Sequence, residues 1–108
     1  MPINLRLNKR LRSAVRWLRR HYPVTRPVVV RLVPPSKAED WDGLCVYDDK
    51  RVYIKLRAEL SDGQTIETLL EEWSHALRSE CPLKIKDEHD SLFWAIYAQL
   101  QVHWRGED

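Results

Sequence analysis

The sequence predicts an α+β domain in the order α-β-β-β-α-α, with a three-stranded sheet packed on one central amphipathic helix. Three observations predict it. Residues 65–79 set Ile66, Leu69, Leu70, Trp73 and Leu77 on one apolar stripe at helical spacing. Residues 51–57 alternate strictly, with Val52, Ile54 and Leu56 on one face and Tyr53, Lys55 and Arg57 on the other. Residues 4–21 and 90–104 carry the helical period at the two ends of the chain.

Taken in order, residues 4–21 place Leu7, Leu11, Ala14, Val15, Leu18 and Tyr22 on a helical stripe, and Pro23 stops it. The run Pro27-Val28-Val29-Val30-Arg31-Leu32-Val33 is a strand by its β-branched content and ends at Pro34-Pro35. Ser36 to Asp42 is a polar loop. Gly43–Tyr47 and Arg51–Arg57 form a hairpin across Asp48-Asp49-Lys50, so the sheet spans residues 27–57. Ser61-Asp62-Gly63 punctuates the chain before the central helix, which Cys81-Pro82 closes. A short basic loop, Leu83 to Lys86, leads to the last helix, with Phe93, Trp94, Tyr97, Leu100 and Trp104 as its apolar positions. Nothing in the pattern marks a linker or a repeat, so residues 1–108 form one domain with a modest core.

Composition narrows the classes. With 44% hydrophobic and 31% charged residues the chain is globular, and no apolar run nears the roughly 18 residues of a membrane span. Met1-Pro2-Ile3-Asn4-Leu5-Arg6 lacks the apolar stretch of a secretory signal, and Cys45 and Cys81 make a poor disulfide framework. A cytoplasmic location with two reduced thiols is expected. Net charge is only +2, but residues 1–31 hold nine Lys/Arg and no acid. A helix bearing Arg6, Arg10, Arg12, Arg16, Arg19 and Arg20 can meet nucleic acid, or it can be a solvated face.

The chemistry concentrates in Thr68-Leu69-Leu70-Glu71-Glu72-Trp73-Ser74-His75-Ala76-Leu77 and in His89-Asp90-Ser91-Leu92-Phe93-Trp94. Glu71 and His75, four residues apart, leave the helix opposite its apolar stripe and could chelate one ion. Glu72 lies beside them, where it could contact a metal-held water. Two ligands are too few for a tight site, and His89, at the start of the next helix, is the best third candidate. Cys81 is a weaker one, and His21 and His103 read as edge histidines. The same pattern also fits a solvated acidic helix face. Glu72-x-x-His75 matches half of a di-iron carboxylate motif, but that site needs a second such pair on a four-helix bundle.

E-E-x-x-H is one letter from the H-E-x-x-H of zinc proteases. With Gly43-Leu44-Cys45, the strand Val52-Tyr53-Ile54-Lys55-Leu56, the His89-Asp90-x-x-Phe93-Trp94 segment and the element order, residues 40–104 resemble the small SprT-like zincin metallopeptidases of bacteria and phages. The resemblance implies a compact minimal zincin-like fold. It implies His75 and His89 as metal ligands, Glu72 as general base, and an extended peptide substrate adding a strand along Val52, Tyr53, Ile54, Lys55 and Leu56. Glu71 stands where the family has its first histidine. Carboxylate is a legitimate zinc ligand, but its charge weakens the ion as a Lewis acid. Zn2+ is the expected cofactor, with Fe2+ or Mn2+ as alternatives, since two His and one carboxylate also suit non-haem iron. The implied activity is metal-dependent peptide hydrolysis. The alternatives are a weak or inactive zincin-like module that binds an extended peptide or nucleoprotein, and a metal-free structural domain.

Overall fold

A computed structural model describes residues 3–85 and 87–107, so Lys86 of the expected basic loop lies outside the described residues. The elements are α1 (Lys9–His21), β1 (Val28–Val33), β2 (Gly43–Tyr47), β3 (Val52–Arg57), α2 (Asp62–Ser79) and α3 (Ser91–Glu107). This is the expected α-β-β-β-α-α order, with a short 3-10 turn at Pro35–Lys37 inside the loop after β1.

Two helix starts differ from the sequence expectation, and each has a capping cause. Helix α1 begins at Lys9 rather than Asn4, because the Asn8 side chain accepts from Leu11 N at 2.8 Å. Asn8 Nδ2 also donates to Asp62 Oδ1 at 2.9 Å, tying the start of α1 to the start of α2. Helix α2 begins at Asp62 rather than Thr65, because Ser61 and Gln64 form a reciprocal capping box.

The sheet order is β1-β3-β2, with β1 parallel to β3 and β2 antiparallel to it. Val52, Ile54 and Leu56, each 0% exposed, face the helices. They meet Leu11, Val15 and Leu18 of α1 and Ile66, Leu69, Leu70 and Trp73 of α2 in one apolar cluster. Leu77, the last residue of the expected stripe, is only half-buried at the cluster's edge. Leu100 carries α3 into the same core.

The central place of β3 overturns one expectation. Its backbone groups are engaged on both sides and half its side chains are fully buried. Val52, Tyr53, Ile54, Lys55 and Leu56 therefore offer no edge to a substrate strand. The free edge on the hairpin side belongs to β2. Asp48 N donates to Arg51 O and Arg57 N donates to Asp42 O, which assigns the β3-bonded positions to residues 42, 44, 46 and 48. By the same alternation the N–H and C=O of Gly43, Cys45 and Tyr47 point away from the sheet.

Candidate functional site

Strand β2 lies on α2 at Gly43. A Cβ there would run into Thr68 Cγ2 and stand 3.0 Å from Glu72 Cγ, so only glycine lets the strand edge approach this closely. Gly43→Ala is expected to cost about 1–3 kcal/mol, the scale of overpacking, and to lower the melting temperature by several degrees. An unchanged thermal melt would show that Thr68 yields freely.

Between β2, α2 and the 80–90 connection opens a cleft of about 430 Å³. Glu71, Glu72, His75, Glu88 and His89 supply its polar side chains, and Leu44, Cys45, Tyr47 and Ile85 its other walls. His75 and His89, fourteen residues apart in sequence, meet with Nε2 to Nε2 at 3.2 Å. Phe93, fully buried, packs against both rings. It stacks on His75 at 4.3 Å between ring centroids and stands edge-on to His89 at 4.9 Å. Trp94 covers the outer side of His89 at 5.8 Å.

The electrostatics follow from burial and from like charges. Burial first, then the neighbouring His89, lowers the pKa of His75, so its imidazole is neutral at neutral pH and keeps a lone pair. Burial pushes the Glu72 carboxyl up to about 7, with Glu71 and Glu88 adding repulsion. Burial and then Glu72 push the Cys45 thiol up to about 12, so it is a neutral wall rather than a thiolate.

Glu72 yields a test of stability against pH. Its folded pKa lies above the unfolded carboxylate value of 4.5. Below 4.5 both states hold the proton and the group contributes nothing. Between 4.5 and about 7 only the native state keeps it, so stability falls as pH rises, and the full cost applies above 7. Glu72→Gln in the presence of chelator should therefore raise the melting temperature at pH 8 and leave it unchanged at pH 4. The gain at pH 8 is on the order of 3 kcal/mol at most. An equal shift at both pH values would contradict the raised pKa.

The structure thus brings together two of the three expected ligands, His75 and His89, and sets Glu72 beside them. Glu71 lines the same cleft, half-buried. Among the described residues no three His, Cys, Asp or Glu side chains already stand grouped for an ion. Glu71 also belongs to the face of α2 that meets α3. One turn before it, Glu67 accepts from Tyr97 Oη at 3.1 Å and from Gln101 Nε2 at 2.9 Å, and the charge of Glu71 helps raise the Tyr97 pKa. Cys81 is outside the cleft, its Sγ 3.6 Å from Leu77 O. His21 and His103 pack with Trp17, Tyr22 and Trp104 elsewhere, where Tyr22 Oη lies 2.9 Å from His103 Nδ1.

Sequence reasoning missed Glu88, Cys45 and Gly43 as cleft residues. Adjacency to His89 was a signal for Glu88. The other two depend on how β2 lands on α2, for which the sequence carries no local sign.

The fold and the cleft define an α+β domain in which two histidines meet in a cleft, also lined by a buried carboxyl, beside a free strand edge. No family model matches the chain, and no curated protein or solved structure matches it.

Proposed function

We propose that this domain is a divalent-metal-dependent peptidase, zinc being the expected ion, built on an SprT-like zincin plan. The observation that carries the reading is the 3.2 Å approach of His75 Nε2 to His89 Nε2 in a cleft that Glu71 and Glu72 also line. The donor set fits a metal. His75 is held neutral, and the two ring nitrogens converge on one point next to a carboxylate-rich wall. His75, His89 and Glu71 would hold the ion, which when bound supplies Lewis acidity and a water of lowered pKa. Glu72 would accept the proton of the attacking water and could return it to the leaving amine, as the buried carboxyl that lines the same cleft as the histidines. The peptide lies along β2, where the outward backbone groups of Gly43, Cys45 and Tyr47 can bond an added strand. Phe93 stacks on His75 and Trp94 packs near His89 on the α3 side.

The test has two arms. Elemental analysis of protein purified without chelator should find one zinc per chain. A quenched-fluorescent peptide mixture should be cut, with the cutting abolished by chelator and restored by Zn2+. Zinc without cutting favours a second reading, a zincin-like module that binds an extended peptide. Glu71 supports that reading, because a third carboxylate beside Glu72 and Glu88 weakens the ion it would hold. Absence of both sinks the metal reading.

We also propose a cytoplasmic setting and a nucleic-acid contact for α1. The support for the first is compositional; no helix of the described residues is long and apolar enough to cross a membrane. For the second, Arg12, Arg16 and Arg20 are exposed at four-residue spacing, about 6 Å apart along the helix axis. Retention of a labelled duplex at low ionic strength should fall steeply with salt, with a log–log slope of about −2 to −3 for two or three phosphates. A flat salt response would leave α1 as a solvated face.

A further inference from the structure

Arg78 lies one turn beyond His75 on α2 and is 3% exposed. Each of its side-chain nitrogens is bonded. Nε donates to Asp90 Oδ1 at 3.0 Å and Oδ2 at 3.1 Å, and Nη2 donates to Asp90 Oδ2 at 2.7 Å. Nη1 donates to Leu83 O at 3.0 Å and Nη2 to Lys84 O at 3.1 Å. Asp90 is next to His89 in the chain and accepts from Phe93 N at 3.0 Å, which makes it the cap of α3. One guanidinium thus joins the helix of His75, the exposed connection after it, and the residue beside His89.

We propose that Arg78 is a positioning residue for the histidine pair, clamping the 80–90 connection through Asp90 so that the His89 ring meets the His75 ring. The clamp closes a short mechanical circuit, from His75 along α2 to Arg78, across to Asp90, and back through His89. Leu100 seats α3 on the core, and Phe93 packs on both rings from the first turn of α3. Leu83, Lys84, Ile85, Asp87 and Glu88 before that turn are all exposed, and the bonds of Arg78 to Leu83 O, Lys84 O and Asp90 tie this stretch to α2. Stability alone does not call for this pair, since a buried ion pair contributes little over apolar residues of similar size. A planar fork with five donors instead fixes direction, which lysine cannot do. The bearing on metal affinity rests on the peptidase reading above; the ring contact does not.

The experiment compares Arg78→Lys and Asp90→Asn with Gln101→Met, which loosens the α2–α3 interface farther along by removing a bond to Glu67. Asp90→Asn keeps an acceptor for the cap and removes only the ion pair, so it decides the matter even if Arg78→Lys fails to fold. Three quantities are read: nuclear Overhauser contacts between the two imidazoles in metal-free protein, Zn2+ affinity by competition with a chelating dye, and melting temperature. In the clamp variants the ring contacts should vanish and Zn2+ affinity should fall about tenfold or more, the scale seen when a ligand's support is lost. Gln101→Met should lower the melting temperature and change neither. If the clamp variants melt earlier yet keep both ring contacts and affinity, Arg78 is only structural and the proposal is overturned. A parent protein with ring contacts but no Zn2+ binding would sink the metal reading alone, and the ring arm would still decide the clamp.

Discussion

Trp73→Asp is expected to leave the chain unfolded at 25 °C. Trp73 is 0% exposed, and its Nε1 donates to Tyr22 O at 2.8 Å, joining α2 to the end of α1. Truncating a buried aromatic costs about 3–5 kcal/mol, and an unpaired carboxyl in its place adds several more or forces its protonation. A domain of this size has only about 5–15 kcal/mol to lose. Far-ultraviolet circular dichroism should show a collapsed helix signal and near-ultraviolet dichroism a lost tryptophan band. Trp73→Phe, which gives up the Tyr22 bond and part of the ring, should stay folded with a lowered melting temperature. A cooperative native-like melt of Trp73→Asp would mean that α2 does not seat on the sheet through this residue.

The second large effect concerns the altered letter of the motif. Glu72→Gln should abolish peptide hydrolysis, a loss of about 10²–10⁴-fold, while leaving Zn2+ binding intact, because Gln cannot accept the proton. Glu71→His should move the other way. It rebuilds H-E-x-x-H, replaces an anion by a neutral donor, and relieves one of the like charges that raise Glu72. Zinc affinity should rise on the order of tenfold or more, the scale of a change in the ligand environment, and turnover with it. Glu71→Ala in the parent should weaken binding. If Glu71→His changes neither affinity nor rate, position 71 does not reach the ion. The pair of histidines would then act without a third ligand from α2, and the binding-module reading would gain.

These two predictions draw on different parts of the chain's information. The Trp73 prediction was legible from periodicity. A stripe at helical spacing must bury somewhere, and Ile66, Leu69, Leu70 and Trp73 are found at 0–3% exposure. The alternation of residues 52–57 named its buried face for the same reason, since side-chain direction in a strand is a local property. The start of α2 was also written locally, in Ser61 and Gln64, although the capping box carries it three residues earlier than periodicity alone suggests.

The site was legible in part. Glu71, Glu72 and His75 share one helix, so their relative placement is a matter of turns. That His89 folds back to 3.2 Å from His75 depends on the path of residues 80–90, which Arg78 and Asp90 hold through contacts twelve residues apart. The assignment of the substrate edge to β3 failed for a related reason. The resemblance implied that edge, but the parallel pairing with β1 places β3 in the middle of the sheet and leaves β2 as the edge over the cleft.

By itself, then, the sequence determined the kind and order of the elements and the buried face of each, and it named Glu71, Glu72, His75 and His89 as candidates for metal and proton chemistry. These follow from spacing along one helix or strand, where geometry repeats every few residues. Only the tertiary structure decided which strand has a free edge, that the two imidazoles touch, that Arg78 and Asp90 are joined, and that Glu72 holds its proton near neutral pH. Each of these depends on which distant segments exclude water from one another, and that is settled by the packing of the whole chain.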